Sequence, residues 1–156
     1  MDTFLYILFA VLYAGLLALM LLSIKKSGVG VLSNVLILVI VALIYDNGIL
    51  GIGKWIGKGD LLENLNAARF WMHAIFTPLL ILFSVDVLRR AGIEWSKKTA
   101  LLLVASFYTF IAFLVELITV LWGLSLKAEK SYGVLSYTSA NSPDGPPIMI
   151  LLVTLA

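Results

Sequence analysis

Apolar residues occur in long runs along this chain, and short polar connections separate the runs. Four runs are about 20 residues long or longer, at about residues 3–23, 31–52, 67–88 and 99–126. A helix of roughly 20 apolar residues spans the hydrocarbon core of a bilayer. The pattern therefore predicts four transmembrane helices. No internal repeat divides them, so residues 1–156 are expected to form a single transmembrane domain.

A shorter apolar run at 148–156 follows two prolines, at 146 and 147. Proline is favoured at the first positions of a helix, so this run is predicted to begin a fifth span. The expected fold class is all-α: a polytopic integral membrane helix bundle with four full transmembrane helices plus a partial fifth.

The composition agrees with a membrane location. Hydrophobic residues make up 62% of the chain and charged residues only 13%, whereas soluble domains average roughly 25% charged residues. The expected partner is therefore the lipid bilayer. A net charge of +2 without a long basic run gives no reason to expect nucleic acid. The absence of cysteine excludes disulfides, thiolate metal sites and cysteine nucleophiles.

Basic residues in the connections predict the orientation. Adjacent basic pairs at 25–26, 89–90 and 97–98 lie in the first and third connections, and no basic residue precedes the first run. Lys and Arg concentrate in cytoplasmic loops. We therefore expect the N-terminus to lie outside the cytoplasm. The same lack of basic residues argues for a retained span rather than a secretory signal.

The second and fourth connections are predicted to lie outside as well. Gly48, Gly53 and Lys54 match the spacing of a phosphate-binding loop, but Trp55 stands where that motif needs Ser or Thr. A flexible helix exit is the better interpretation of this glycine-rich stretch. Residues 127–147 are rich in Ser, Tyr, Gly and Pro, which predicts a loop over the outer face.

Ionisable side chains inside the predicted spans are the main candidates for function. Asp46, His73 and Glu116 all fall in the outer half of the predicted bundle, and His73 is the only histidine in the chain. Such residues are costly in a membrane and usually face a partner or a cavity. Asp86 lies near the inner end of span three, where it is expected to pair with an arginine at 89–90.

Helical spacing places these residues on two polar stripes. Span three carries the stripe Asn66, Arg69, His73, Thr77 and Ser84, and span four carries Ala105, Thr109, Ala112, Glu116, Thr119 and Gly123. Small residues allow helices in membranes to approach closely. We therefore expect spans three and four to face each other around one site. The predicted ligand or ion site comprises Asp46, His73, Glu116, Tyr45, Asn47, Arg69 and Thr77.

Four interpretations of His73 are open. It is a packing residue bonded to a carboxylate, or part of an ion or proton site. Alternatively, Asp46, His73 and Glu116 are metal ligands of a hydrolase with a metal-bound water. The last interpretation is an axial ligand to a tetrapyrrole, because the aromatic residues Phe70, Trp71 and Phe76 surround His73 in sequence.

The expected function follows from this site. The chain is predicted to be a small membrane protein that binds a small ligand or ion at Asp46, His73 and Glu116, or an accessory subunit of a membrane complex. The alternatives are a proton- or ion-coupled transporter and an intramembrane metal-dependent lipid hydrolase. Other membrane subunits or further copies of the chain are the candidate protein partners. The sequence leaves enzymatic activity, cofactor and metal open.

Overall fold

The structure is a computed structural model that describes residues 2–27, 33–140 and 153–154. Most of these residues are helical. The helices are α1 (Asp2–Ser27), α2 (Ser33–Ile56), α3 (Asp60–Phe76), α4 (Leu79–Arg90) and α5 (Thr99–Glu116). A 3-10 turn (Glu94–Lys97) precedes α5 and a π-helical turn (Leu117–Leu121) continues it. Two strands then form a hairpin, β1 (Leu126–Ser131) and β2 (Val134–Ser139).

The membrane-length helices agree with the predicted pattern. Over the described ranges, four helical segments are long and apolar enough to cross a membrane, at Asp2–Ile24, Val35–Ile56, Asp60–Arg90 and Thr99–Leu121. The hairpin corrects the expectation of an all-α fold. The predicted partial fifth span at 148–156 lies outside the described residues, apart from Val153 and Thr154.

Helix boundaries differ from the hydropathy runs at three points. α2 continues to Ile56, so the glycine-rich exit from this helix is shorter than predicted and consists of residues 57–59. α3 begins at Asp60 rather than at residue 67, because Leu62 and Asn66 in its first turns are fully buried and fix the helix by packing. The fourth span ends at Leu121 rather than at residue 126, since Leu126 already belongs to β1.

The hairpin replaces the predicted outer loop in its described part. β1 and β2 pair antiparallel, with Leu126 opposite Ser139 and Ser131 opposite Val134. Tyr132 and Gly133 form the turn with φ of 49° and 87°, and a type I′ hairpin turn requires positive φ at both positions. Val134 and Tyr137 are buried, which anchors β2 against the helices.

The hairpin lies across the end of the bundle where α1 begins and α2 ends. The Thr3 hydroxyl of α1 donates a hydrogen bond to the carbonyl of Gly133 at 3.0 Å. Tyr137 of β2 packs in a hydrophobic cluster with Ile49 of α2 and Leu62 of α3. Three helices therefore meet the hairpin at this end.

Two glycines of α2 permit its closest contacts. A Cβ atom at Gly51 would lie 2.8 Å from Cγ1 of Ile7 in α1, and a Cβ atom at Gly53 would clash with the carbonyl of Leu135 in β2. Real Cβ atoms do not approach neighbours so closely. The absence of side chains at 51 and 53 therefore lets α2 lie directly against both α1 and the hairpin.

The second core lies between α4 and α5. Ile81 and Val85 of α4 pack against Ala105 and Ala112 of α5. The buried face of α5 consists of Ala105, Thr109, Ala112 and Glu116. This confirms that these four residues form one buried face, and its alanines pack against the apolar residues Ile81 and Val85, which are not members of the polar stripe predicted on span three. The last two members of the stripe predicted on span four, Thr119 and Gly123, are exposed.

Pro78 divides the third membrane-length segment into α3 and α4. Proline has no N–H to donate and clashes with the carbonyl four residues earlier, which is that of Ala74. At the far end of α4, Arg90 donates from Nε to Asp86 Oδ2 at 2.8 Å. The predicted pairing of Asp86 with a neighbouring arginine is confirmed.

Candidate functional site

An ion pair joins the middle of α2 to α3. Arg69 donates from Nε to Oδ1 of Asp46 at 2.7 Å, and the two side chains are 15% and 39% exposed. Asp46 precedes the end of α2 at Ile56 by ten residues, and Arg69 follows the start of α3 at Asp60 by nine. At 1.5 Å per residue these positions are about 15 and 14 Å along their helices, so the antiparallel helices bring the two charges to one level.

Asn66 holds the arginine in place. Its Oδ1 accepts a hydrogen bond from Nη1 of Arg69 at 2.5 Å, while its Nδ2 donates to the carbonyl of Leu62 at 2.7 Å. Asn66 itself is fully buried. A buried amide with both ends bonded has little freedom to turn, so it fixes the guanidinium toward Asp46.

His73 lies one helical turn beyond Arg69 and is exposed on the described chain. Its Nδ1 is 3.2 Å from the hydroxyl of Thr77. The Thr77 hydroxyl thus contacts the imidazole. Pro78 has no N–H, so the Ala74 carbonyl lacks its usual helical donor.

These groups line one cavity of about 180 Å³ between α2 and α3. Its polar walls come from Asp46, Arg69, His73 and Thr77. Apolar side chains complete it: Val39, Ala42, Leu43, Met72 and Phe76. Four of the seven predicted site residues therefore share a single cavity.

Glu116 does not line this cavity. It is buried on α5, and it is close enough to His73 for an electrostatic interaction between the two. Among the residues that the structure describes, no hydrogen bond or ion pair involves its carboxylate. Glu116 thus does not line the cavity, and its relation to the cavity is the electrostatic interaction with His73.

Tyr45 and Asn47 flank Asp46 but have other roles. The Tyr45 hydroxyl donates to the carbonyl of Leu65 at 3.0 Å and ties α2 to α3. Asn47 is buried and donates to the carbonyl of Leu43 within its own helix at 2.8 Å. Neither residue lines the cavity, and the recorded hydrogen bond of each side chain goes to a backbone carbonyl.

The predicted metal-ligand set is not assembled. No group of three His, Cys, Asp or Glu side chains suited to a metal ion occurs within residues 2–27, 33–140 and 153–154. The Arg69 guanidinium occupies the side of Asp46 where a cation would bind, and Glu116 lies outside the cavity. Asp46, His73 and Glu116 therefore do not form the three-ligand centre that the sequence suggested.

The aromatic residues around His73 in sequence differ in their relation to the α2–α3 cavity. Phe76 lines the cavity, whereas Phe70 and Trp71 do not. The glycine run of α2 also lacks the geometry of a phosphate-binding loop. Gly48, Gly53 and Lys54 are helical, so their backbone N–H groups are used within the helix.

Sequence reasoning missed the partner of Asp46. It placed Arg69 on the polar stripe but considered Asp46 and Glu116 as the carboxylates that would bond to His73. The signal that could have found the pair is the antiparallel register: an arginine nine residues into one helix faces an aspartate ten residues before the end of the preceding one. Asn66 was on the same stripe, and its contact with Arg69 follows from the i,i+3 spacing of the two residues on α3.

The cavity offers groups of both signs. Oδ2 of Asp46 and the remaining N–H groups of Arg69 can bind a charged or polar ligand, and the His73 ring can donate or accept a hydrogen bond. Such a set can hold a small ion, a zwitterion or ordered water. No protein-family model matches the chain, and no curated protein or solved structure is significantly similar to it.

Proposed function

We propose that the chain is a small integral membrane protein that binds a small polar ligand or ion in the cavity between α2 and α3. Four membrane-length segments support the membrane location. Large apolar side chains that are exposed along α1, such as Val11 and Leu19, support it further. Lipid is the environment in which such a surface is stable.

The orientation is part of this proposal. The N-terminus and the hairpin lie outside the cytoplasm, because the adjacent basic pairs at 89–90 and 97–98 lie at the opposite end of the bundle. A ligand then enters the cavity from the extracytoplasmic side. Asp46 and Arg69 are about 15 Å from that end of their helices.

The observation that most supports this proposal is that an ion pair, an imidazole and a hydroxyl line the same cavity. Ionisable groups at such depth are usually functional. The cavity of about 180 Å³ is smaller than the roughly 300–1,000 Å³ typical for drug-sized ligands. Its ligand is therefore small, on the scale of a hydrated ion or a few-atom zwitterion.

Thermal unfolding of the purified protein in nanodiscs tests the proposal. A panel of monovalent ions, divalent ions and small amino acids is added to wild type, Asp46→Asn and Arg69→Gln. A true ligand at 100 times its Kd stabilises the protein by about 2.7 kcal/mol, and both variants should lose that effect. Asp86→Asn is the matched control, since it removes a carboxylate outside the cavity. If no compound stabilises wild type, or if both variants keep the effect, the proposal is wrong.

The single histidine permits a second test. Protein labelled only at histidine gives one set of imidazole NMR signals, from His73. If the cavity is open to water, a water-soluble paramagnetic relaxation agent should broaden these signals. An imidazole that faces only lipid would be protected from the agent, and His73 would then not be available to a ligand from water.

An accessory-subunit role is a second candidate, and the exposure of His73 favours it. A polar ring at this depth is better covered by another chain than by lipid. Ligand-independent stability together with crosslinking from position 73 to a second polypeptide would support this role. Ion or proton flux in proteoliposomes that Asp46→Asn abolishes would instead assign the cavity to coupled transport.

A further inference from the structure

A second and larger hollow lies at the hairpin end of the bundle, away from the α2–α3 cavity. Its volume is about 350 Å³. It is bounded by the start of α1, the end of α2 and the hairpin turn. The lining residues are Thr3, Phe4, Ile7, Lys54, Trp55 and Gly133.

Lys54 is the cation of this hollow. Its ammonium lies 4.3 Å from the centroid of the Trp55 ring, a cation–π geometry that orients the side chain. Within the described part of the chain, no carboxylate pairs with it. The carboxylate next to this hollow in sequence, Asp2, lines an adjoining hollow instead. The ammonium is therefore positioned and available to an anion.

The other walls are mainly apolar, and they continue onto the surface of α1. Phe4 is 71% exposed, and Leu8 and Val11 extend the same apolar surface away from the helix end. A soluble anion would gain nothing from these walls. An amphiphile would gain from both parts, because its head would meet Lys54 and its chain would lie along α1.

We infer that this hollow binds the phosphate-bearing headgroup of an anionic phospholipid, with an acyl chain along α1. Trp and Lys at a helix end are typical of the headgroup level of a bilayer. The volume suits a headgroup rather than a whole lipid, which leaves the chain outside on Phe4 and Leu8. This inference rests on the proposed membrane location but not on the α2–α3 cavity.

Native mass spectrometry of the full chain in a neutral detergent tests the site. Phosphatidylglycerol and phosphatidylcholine are titrated separately into wild type, Lys54→Gln and Lys58→Gln. One lysine near a membrane surface contributes about fivefold in affinity for an anionic lipid. We expect Lys54→Gln to lose about that factor for phosphatidylglycerol alone. Lys58→Gln is the control, because Lys58 is exposed near the same end but does not line the hollow.

Three results would overturn the inference. An equal loss of affinity for phosphatidylglycerol in Lys54→Gln and Lys58→Gln would mean that binding depends on general surface charge. Equal binding of the two lipids by wild type would remove the role of the anion. Displacement of phosphatidylglycerol by equimolar inorganic phosphate would identify a soluble-anion site. Asp46→Asn should leave lipid binding unchanged, so failure here is distinguishable from failure of the α2–α3 cavity.

Discussion

The ion pair between Asp46 and Arg69 makes the sharpest prediction about stability. Replacing Arg69 by Met leaves the Asp46 carboxylate without its cation and Asn66 without its Nη1 donor. Replacing Asp46 by Asn removes the charge but keeps an oxygen that can accept from Arg69. We therefore expect Arg69→Met to be more destabilising than Asp46→Asn.

The strength of the pair follows from its distance and burial. Two unit charges about 4 Å apart interact by about 4 kcal/mol at an effective dielectric constant near 20. The Asp46 side chain is 39% exposed and that of Arg69 is 15% exposed, so solvent screens part of this attraction. A coupling free energy of about 2 kcal/mol results, between the ~0.2–1 kcal/mol of exposed pairs and the ~3–5 kcal/mol lost when a fully buried pair is broken.

A double-mutant cycle measures this coupling. The free energies of unfolding of wild type, both single variants and Asp46→Asn/Arg69→Met are obtained in mixed micelles. The four tryptophans of the chain report unfolding by fluorescence.

A second cycle on Asp86 and Arg90 provides the control, because Arg90 is 54% exposed and the pair has helical i,i+4 spacing. Its coupling should be about 0.3–0.5 kcal/mol. The reasoning is refuted if the two cycles give the same coupling within about 0.5 kcal/mol, the usual error of additivity. The Asp46–Arg69 pair would then be as solvated as a surface pair.

Two further predictions concern the hairpin end. Gly53→Ala should destabilise the protein by about 1–3 kcal/mol, as overpacking does, because its Cβ would meet the carbonyl of Leu135. Gly48→Ala, whose Cβ would meet nothing, should be neutral or stabilising in thermal unfolding, and equal behaviour of the two variants would contradict the close contact. In the cysteine-free chain, Lys130→Cys should react with an impermeant thiol reagent in intact cells, whereas Lys97→Cys should react only after permeabilisation. The reverse labelling pattern would invert the proposed orientation.

Hydropathy alone located the four membrane-length segments, because each contains an apolar run long enough to cross a bilayer. It did not fix their ends. It also located the buried face of α5, since Ala105, Thr109, Ala112 and Glu116 recur at helical spacing. Local pairing was equally accessible. Asp86 and Arg90 are four residues apart on one helix, and their contact needs no information from other parts of the chain.

Features that depend on tertiary contact were not accessible. The extra turns of α3 are fixed by burial of Leu62, which hydropathy cannot distinguish from a lipid-facing leucine. The hairpin strands are six residues each and rich in polar residues. Burial of Val134 and Tyr137 against the helices selects their pairing. Arg69 reaches Asp46 only because α2 and α3 have a particular register, which single-helix periodicity does not encode.

The hydrogen bond between Thr3 and Gly133 has a consequence for the order of assembly. It joins residues separated by 130 positions in the chain, so it cannot form until the ribosome has released the hairpin. Gly53 and Leu62 are synthesised earlier, and their surfaces stay uncovered until the hairpin packs against them. The hairpin, which is synthesised after α1, thus closes the start of that helix. The long loop closure it requires is a slow step, during which the nascent bundle is exposed to proteases and chaperones.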